Sequence, residues 1–240
     1  RTTRRIELTE AGQIYFERSK RIVEEARLAH EQLGEMLVQP SGVLRVSLPV
    51  DFALTYLAPL IAEFASLYPG ISFEFDLSPR RVDLVGEPFD LAIRVGESES
   101  SQLITRGVAT LTPYLYASPG YLARAGEPSR PAELQQHECF AMLRSGVWTL
   151  HDGKRTATVA VGGRFLLNSV GMMRRLASVD MGIILLPEEI VADELASGAL
   201  RRIMPAWHGT PQSVYAMTET RLLPAKTQRF IEFLRERLGR

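Results

Sequence analysis

The sequence predicts an α/β protein of two lobes preceded by a long helix. From Val43 onward, short β-branched runs alternate with helical patterns punctuated by Pro and Gly, which argues strands in parallel sheets covered by helices. The rhythm occurs twice, so two open sheets are expected rather than one. Ahead of both, apolar and small residues recur on alternating steps of four and three, the spacing of a helix with a narrow seam.

Composition fits this reading. At 45% apolar and 23% charged, the 240 residues match a globular protein with a sizeable core. The 28 basic and 28 acidic residues cancel, so no global field draws the chain to nucleic acid or an anionic membrane, and any such contact must be local. One cysteine, Cys139, cannot form an internal disulfide. No apolar leader or membrane-length apolar run stands out, and the cytoplasm is the expected location.

Residues 1–9 read as the end of a DNA-binding domain whose base-reading part lies further N-terminal. Arg1, Arg4 and Arg5 bracket Thr2 and Thr3 ahead of a short alternating strand, Ile6 to Leu8. Arg and Thr of this kind touch phosphates and position a protein without reading sequence; the plainer alternative is a frayed basic end. Residues 10–38 follow as a helix roughly 43 Å long. Its seam is Tyr15, Ser19, Ile22, Ala26, Ala29, Leu33 and Met36, read as a dimerisation face, against the alternative of a solvated helix lying along its own domain. Gln39-Pro40-Ser41-Gly42 ends it as a hinge.

The first lobe begins with a strand at Val43 to Leu48 and a helix at Tyr56 to Leu67, with Pro59 near its first turn. A strand at Ile71 to Leu77, a short helix at Arg80 to Glu87 and a strand at Phe89 to Val95 follow. The second lobe has strands at Tyr114 to Ala117 and Cys139 to Leu143, helices from Ser118-Pro119 and over Pro131 to Gln136, and a hairpin region around Trp148, Asp152-Gly153 and Gly162-Gly163. Helix Ser169 to Ser178, strand Ile183 to Leu186 and helix Glu188 to Leu195 complete it. Strand Ser213 to Met217 and helix Lys226 to Leu238 are expected to return to the first lobe, so that the chain crosses near Thr112-Pro113 and again between Pro205 and Pro211. Lobe I is then 43–112 with 211–240, and lobe II is 113–210.

Several of these phrases together resemble the LysR-type transcriptional regulators: Leu8-Thr9-Glu10-Ala11-Gly12, Asp90-Leu91-Ala92-Ile93-Arg94-Val95-Gly96, Ala117-Ser118-Pro119-Gly120-Tyr121-Leu122 and Met181-Gly182-Ile183-Ile184-Leu185-Leu186-Pro187, in that order. The resemblance covers essentially the whole chain. It implies Rossmann-like lobes of periplasmic-binding-protein type over 43–240, a small-molecule inducer in the interlobe cleft, promoter DNA bound by a winged helix-turn-helix, and a homodimer or homotetramer. RNA polymerase is a further candidate partner, and no cofactor or metal is implied. The helix-turn-helix is not within these residues, so the chain as given is not expected to recognise a specific operator. Asp180 stands where relatives place glycine.

In open α/β sheets ligands sit beyond the carboxyl ends of the strands. That rule and the resemblance select the same effector-binding candidates: Pro49, Val50, Asp51 and Phe52 after the first strand, Ser78 after the second, Arg94 and Gly96 at the end of the third, and Asn168 and Ser169 before a helix of lobe II. Asp51, Ser78 and Ser169 also suit helix capping or turns. Arg94 suits a ligand carboxylate, or Asp90 or Glu97 as structural partners. Trp148 reads as pocket lining or core, and Trp207 as packing at the lobe junction.

Catalysis has no visible apparatus: no nucleophile elbow, dinucleotide or phosphate loop, or metal-binding helix motif is present, and His30, His137, His151 and His208 are scattered. The rival to a regulator is the solute-binding protein of a transport system, which has the right body but needs an export signal and has no use for the seam helix.

Overall fold

The computed structural model describes residues 9–34, 39–78, 84, 87–96, 103–142 and 146–239, with the backbone alone for 28–34. Arg1, Thr2, Thr3, Arg4, Arg5, Met36 and Glu97 lie outside them, as do most of the expected helix at 80–87 and the side chains of Ala29 and Leu33.

Helix α1 spans Glu10–Gly34 within the described residues. Thr9 starts it: its hydroxyl accepts the Gly12 N–H at 3.1 Å and its carbonyl the Gln13 N–H at 2.8 Å, satisfying two donors the first turn leaves open. Arg21 passes 3.7 Å from Glu219, so the helix runs beside its own domain. Contact is slight, because Tyr15 stays 75% exposed and Ile22 66%.

The first sheet orders its strands β2-β1-β3-β12-β4: β1 (Gly42–Ser47), β2 (Ile71–Asp76), β3 (Leu91–Val95), β4 (Ile104–Leu111) and β12 (Gln212–Thr218). β1 runs parallel to β2 and β3, while β12 is antiparallel to β3 and β4, so the sheet is mixed rather than parallel throughout. β4 is an element the sequence reading leaves out. Its register against β12 shifts where Gly107 faces Tyr215, and such a bulge breaks the alternation that reveals a strand.

Helix α2, Val50–Leu67, begins six residues before the expected Tyr56. It contains a π-turn, Ala53–Leu57, in which Ala58 N–H donates to Ala53 C=O. Pro59 has no N–H to continue the regular ladder, and the wider turn just upstream absorbs that break. The helix has the length and apolarity of a membrane span, yet Phe52, Ala53, Tyr56, Leu57 and Phe64 on one face are buried in the core.

The second sheet, β6-β9-β5-β11-β7-β8 with β10 also on β5, holds β5 (Pro113–Ala117), β6 (Cys139–Phe140), β7 (Val147–Asp152), β8 (Arg155–Ala160), β9 (Ile183–Pro187), β10 (Arg201–Arg202) and β11 (His208–Gly209). Among the described strand pairings of this sheet β6–β9 is parallel and the others antiparallel, which corrects the expectation of a second parallel sheet. Helices α3 (Pro119–Ala125), α4 (Val170–Ser178) and α5 (Ala192–Ala196) accompany it. The expected helix at 131–136 is a 3-10 turn, and the expected helix Glu188 to Leu195 opens as a 3-10 turn over Glu188–Val191 before continuing as α5. The chain leaves the first sheet after Leu111 and rejoins it at Gln212, and α6 (Ala225–Leu238) packs Phe230, Ile231, Phe233 and Leu234 into the core.

Asp180 has φ 66°, the left-handed region that glycine enters at least cost, and its carbonyl accepts Arg124 Nη2 at 2.6 Å. The principal core cluster is continuous between the sheets, joining Leu44, Phe64 and Phe230 of the first to Tyr116, Met173 and Ile184 of the second.

Candidate functional site

Parallel register puts the carboxyl ends of β2, β1 and β3 side by side, with Ser47 opposite both Asp76 and Ala92. The loop after β1, the turn at Ser78 and the Arg94–Gly96 segment therefore share one edge of the first sheet. Pro49 sits extended just before α2, and Val50 is exposed. Phe52 turns inward instead: it is 3% exposed, with its ring centroid 5.1 Å from that of Tyr56. Ser78 Oγ is shielded from solvent without a hydrogen-bond partner among the described residues, an unmet polar group at this edge of the sheet. Gly96 has φ +97° and donates its N–H to Ser213 C=O at 3.0 Å, so glycine here serves the backbone.

Arg94 is engaged by the chain itself. One terminal nitrogen donates to Ser47 C=O at 3.0 Å and Ile93 C=O at 2.7 Å, and the other to Ser47 Oγ at 2.9 Å. Asp90, one partner considered from sequence, is held by Lys226 Nζ at 2.9 Å.

The opposing wall is the start of α4. Asn168 and Ser169 are exposed, and Ser169 Oγ caps the helix by accepting Met172 N–H at 3.3 Å. Asp51 reaches this helix from the other sheet, and its carboxylate lies against the backbone of Gly171. A Cβ at Gly171 would lie 3.2 Å from Asp51 Oδ1 and 3.9 Å from Ser169 Oγ, so glycine admits the carboxylate into the first turn. The result places a negative charge where free amides and the helix dipole favour one. Asp51 and Ser169, which are 118 positions apart by their numbers, thus both lie beside Gly171.

Burial pushes the Asp51 carboxyl above its ordinary range, opposed by Arg174 and by the amides of Asp51 and Gly171. A raised folded value means that this group's contribution to stability is fullest below the unfolded pKa and is lost as pH rises through the folded one. The melting temperature of the parent relative to Asp51→Asn should therefore fall as pH is raised from about 4 toward neutrality, as read by paired thermal melts. A pH-independent difference would remove burial as the dominant influence.

Sequence reasoning missed three neighbours of this contact. Tyr56 donates to Glu189 Oε2 at 3.1 Å, a second bridge between α2 and the second sheet's elements. Arg174, one turn into α4, donates to Ile190 C=O at 2.9 Å and pairs with Glu194 at 3.4 Å while its charge acts on Asp51. Gly171 was legible only as a small residue near a helix start. Trp207 corrects the lobe-junction expectation: it is buried in the second sheet's own cluster with Trp148, and Arg155 lies 5.3 Å from its ring centroid. Cys139 packs in that cluster too, and burial pushes its thiol up to about 12, which keeps it unreactive.

Comparison with known proteins supplies the context for this edge. The family model described as the LysR substrate binding domain matches residues 38–239. An HTH-type transcriptional regulator of Xanthomonas campestris pv. campestris is 34% identical over 247 residues, spanning 100% of this chain and 72% of its own. The HTH-type transcriptional regulator PtxR of Pseudomonas aeruginosa is 33% identical, spanning 100% and 78%. Among solved structures, CrgA, a LysR-type transcriptional regulator from Neisseria meningitidis, superposes with TM-score 0.74 at 29% identity over 100% of this chain and 83% of that one. Full-length AphB, the Vibrio cholerae virulence activator, gives 0.72 at 27% identity over 99% and 83%.

Proposed function

The chain belongs to the LysR family of transcriptional regulators, and from that membership we propose that it takes a small-molecule inducer at the edge between its two sheets, where Asp51 meets the first turn of α4. It is a regulator with an effector-binding domain and not an enzyme. Its relatives are named transcriptional regulators, which disfavours the solute-binding alternative.

The observation that carries the proposal is the Asp51 carboxylate set against Gly171 in the first turn of α4. It is a polar bridge between the sheets whose groups a ligand can also satisfy: a donor can bind Asp51, and an acceptor can take the helix amides. Pro49, Val50, Ser78, Arg94, Gly96, Asn168 and Ser169 frame it, and Phe52 supports it from the core. An inducer that binds one arrangement of lobe I (43–112, 211–240) and lobe II (113–210) better than another shifts their balance by that difference in affinity. The shift passes to promoter DNA through residues 1–9 and α1 as dimers or tetramers rearrange, with 39–42 as the hinge.

A thermal-shift screen of small metabolites is expected to yield stabilising hits that Ser169→Trp abolishes, since the indole fills the space before α4. Hits unaffected by Ser169→Trp would place the inducer elsewhere. For α1, the exposed Tyr15 and Ile22, with Ser19 between them and Ala26 one turn further on, support pairing with a second copy. Charging the seam by Tyr15→Glu with Ile22→Glu is expected to lower the solution mass measured by light scattering; an unchanged mass would relocate the self-association surface.

A further inference from the structure

Strand pairing brings together two histidines that lie 57 positions apart by their numbers. His208 of β11 is the register partner of His151 on β7, so both imidazoles stand on one face of the second sheet, with ring centroids 5.7 Å apart. Their hydrogen bonds select which nitrogen carries the proton. His208 Nδ1 lies 2.8 Å from Gly209 C=O, and a carbonyl only accepts, so in the neutral ring Nδ1 is protonated and Nε2 keeps its lone pair. That Nε2 has no partner among the described residues. On His151 the Thr156 hydroxyl, 3.1 Å from Nδ1, can accept in the same way, which leaves Nε2, 3.0 Å from the Thr210 hydroxyl, as the acceptor. Metal-bound imidazoles are held like this: an oxygen takes the second N–H and so sets both tautomer and ring orientation.

The spacing suits an ion. One about 2.0–2.1 Å from each Nε2 stands about 3.2 Å from each ring centre, and centroids 5.7 Å apart then subtend an angle of about 125° at the ion, close to trigonal. Among the described residues no third His, Cys, Asp or Glu joins the pair, so solvent and the Thr210 hydroxyl complete the coordination. Asp152 alternates to the other face of its strand and pairs with Arg155, while Arg202 stacks 3.7 Å from the centroid of Tyr114, a ring 6.3 Å from that of His208. With a cation in the neighbourhood and no carboxylate, a hard ion such as Mg²⁺ finds nothing to hold it, whereas imidazole nitrogens suit Zn²⁺, Ni²⁺ and Cu²⁺. We propose that His151 and His208 form a binding site for a divalent transition-metal ion, which ties β7 to β11, the strand from which the chain returns to the first sheet. The proposal does not rest on the inducer reading, since its ligand is an ion and its donors are ring nitrogens.

The test titrates the 240-residue chain calorimetrically with the chlorides of Cu²⁺ and Zn²⁺, with Mg²⁺ as the hard-ion control. One ion per chain is expected to bind, Cu²⁺ more tightly than Zn²⁺ and Mg²⁺ not at all, and the electron paramagnetic resonance of bound Cu²⁺ is expected to report two nitrogen donors. His151→Ala and His208→Ala are each expected to weaken binding at least ~10-fold, and Thr156→Val, which removes the oxygen behind His151, by roughly 10-fold. His30→Ala, His137→Ala and Ser169→Trp are expected to retain it. Should an alanine variant not fold, His151→Gln and His208→Gln keep the size of the side chain and remove the ring donor. No saturable binding to the parent, equal binding of Mg²⁺, or unweakened binding in a folded variant lacking either histidine overturns the proposal. Loss in Ser169→Trp while His151→Ala still binds would assign the ion to the inducer edge and overturn it equally.

Discussion

Asp90→Ala is expected to lower folding stability by about 3–5 kcal/mol, the usual cost of removing one partner from a buried ion pair. Asp90 accepts the Arg45 backbone N–H at 2.8 Å and meets Lys226 Nζ at 2.9 Å, with side-chain exposures of only 15% for the lysine and 19% for the aspartate. Lys226 also donates to Val43 C=O. One carboxylate therefore joins β1, the start of β3 and the first turn of α6, which returns to the first sheet from the far end of the sequence. Alanine leaves an ammonium and an amide in a largely dry site. Urea unfolding checks this, and the double variant Asp90→Ala with Lys226→Ala should lose less than the sum of the two single changes, since neither charge is then stranded. Strict additivity would show that the pair contributes nothing as a pair.

Phe64→Ala is expected to cost a similar amount, about 3–5 kcal/mol, by opening a cavity at the centre of the first lobe. Phe64 is fully buried, with ring centroids 4.8 Å from Tyr68, 6.1 Å from Phe73, 5.0 Å from Phe230 and 5.2 Å from Phe233. These rings lock α2 to α6 over the sheet. Because the same apolar cluster continues into the second sheet through Tyr116 and Ile184, loss at Phe64 should propagate. Tryptophan emission, which reports the second sheet through Trp148 and Trp207, is expected to shift its unfolding midpoint together with far-UV circular dichroism. If the emission midpoint stays where the parent has it, the two lobes unfold independently and the continuity of the core has no energetic weight.

Much of the fold was legible because its signals are local. β-branched runs bounded by Pro and Gly mark β1, β2 and β9, and Ser118 and Ser169 announce the helices they cap. What escaped was broken locally: β4 by the bulge at Gly107, and the early start of α2 by a π-turn ahead of Pro59. The candidate site was half readable. The strand-end rule selected Pro49–Phe52, Ser78, Arg94 and Asn168-Ser169 as candidates, but it could not say that Phe52 faces the core, that Arg94 grips Ser47, or that Asp51 lies against Gly171.

The sequence alone determined the alternation of elements, the capped helix starts, the seam of α1 and the resemblance that four ordered phrases carry, since spacing and turn chemistry act over a few neighbouring residues. Tertiary structure alone decided which distant groups meet: Asp51 with Gly171, Asp90 with Lys226, His151 opposite His208 on paired strands, and Trp207 inside the second sheet's core. Those pairings depend on sheet register and on how the helices settle over the sheets. Both minimise unpaired polar groups and empty volume across the whole molecule, and no short stretch of chain contains that sum.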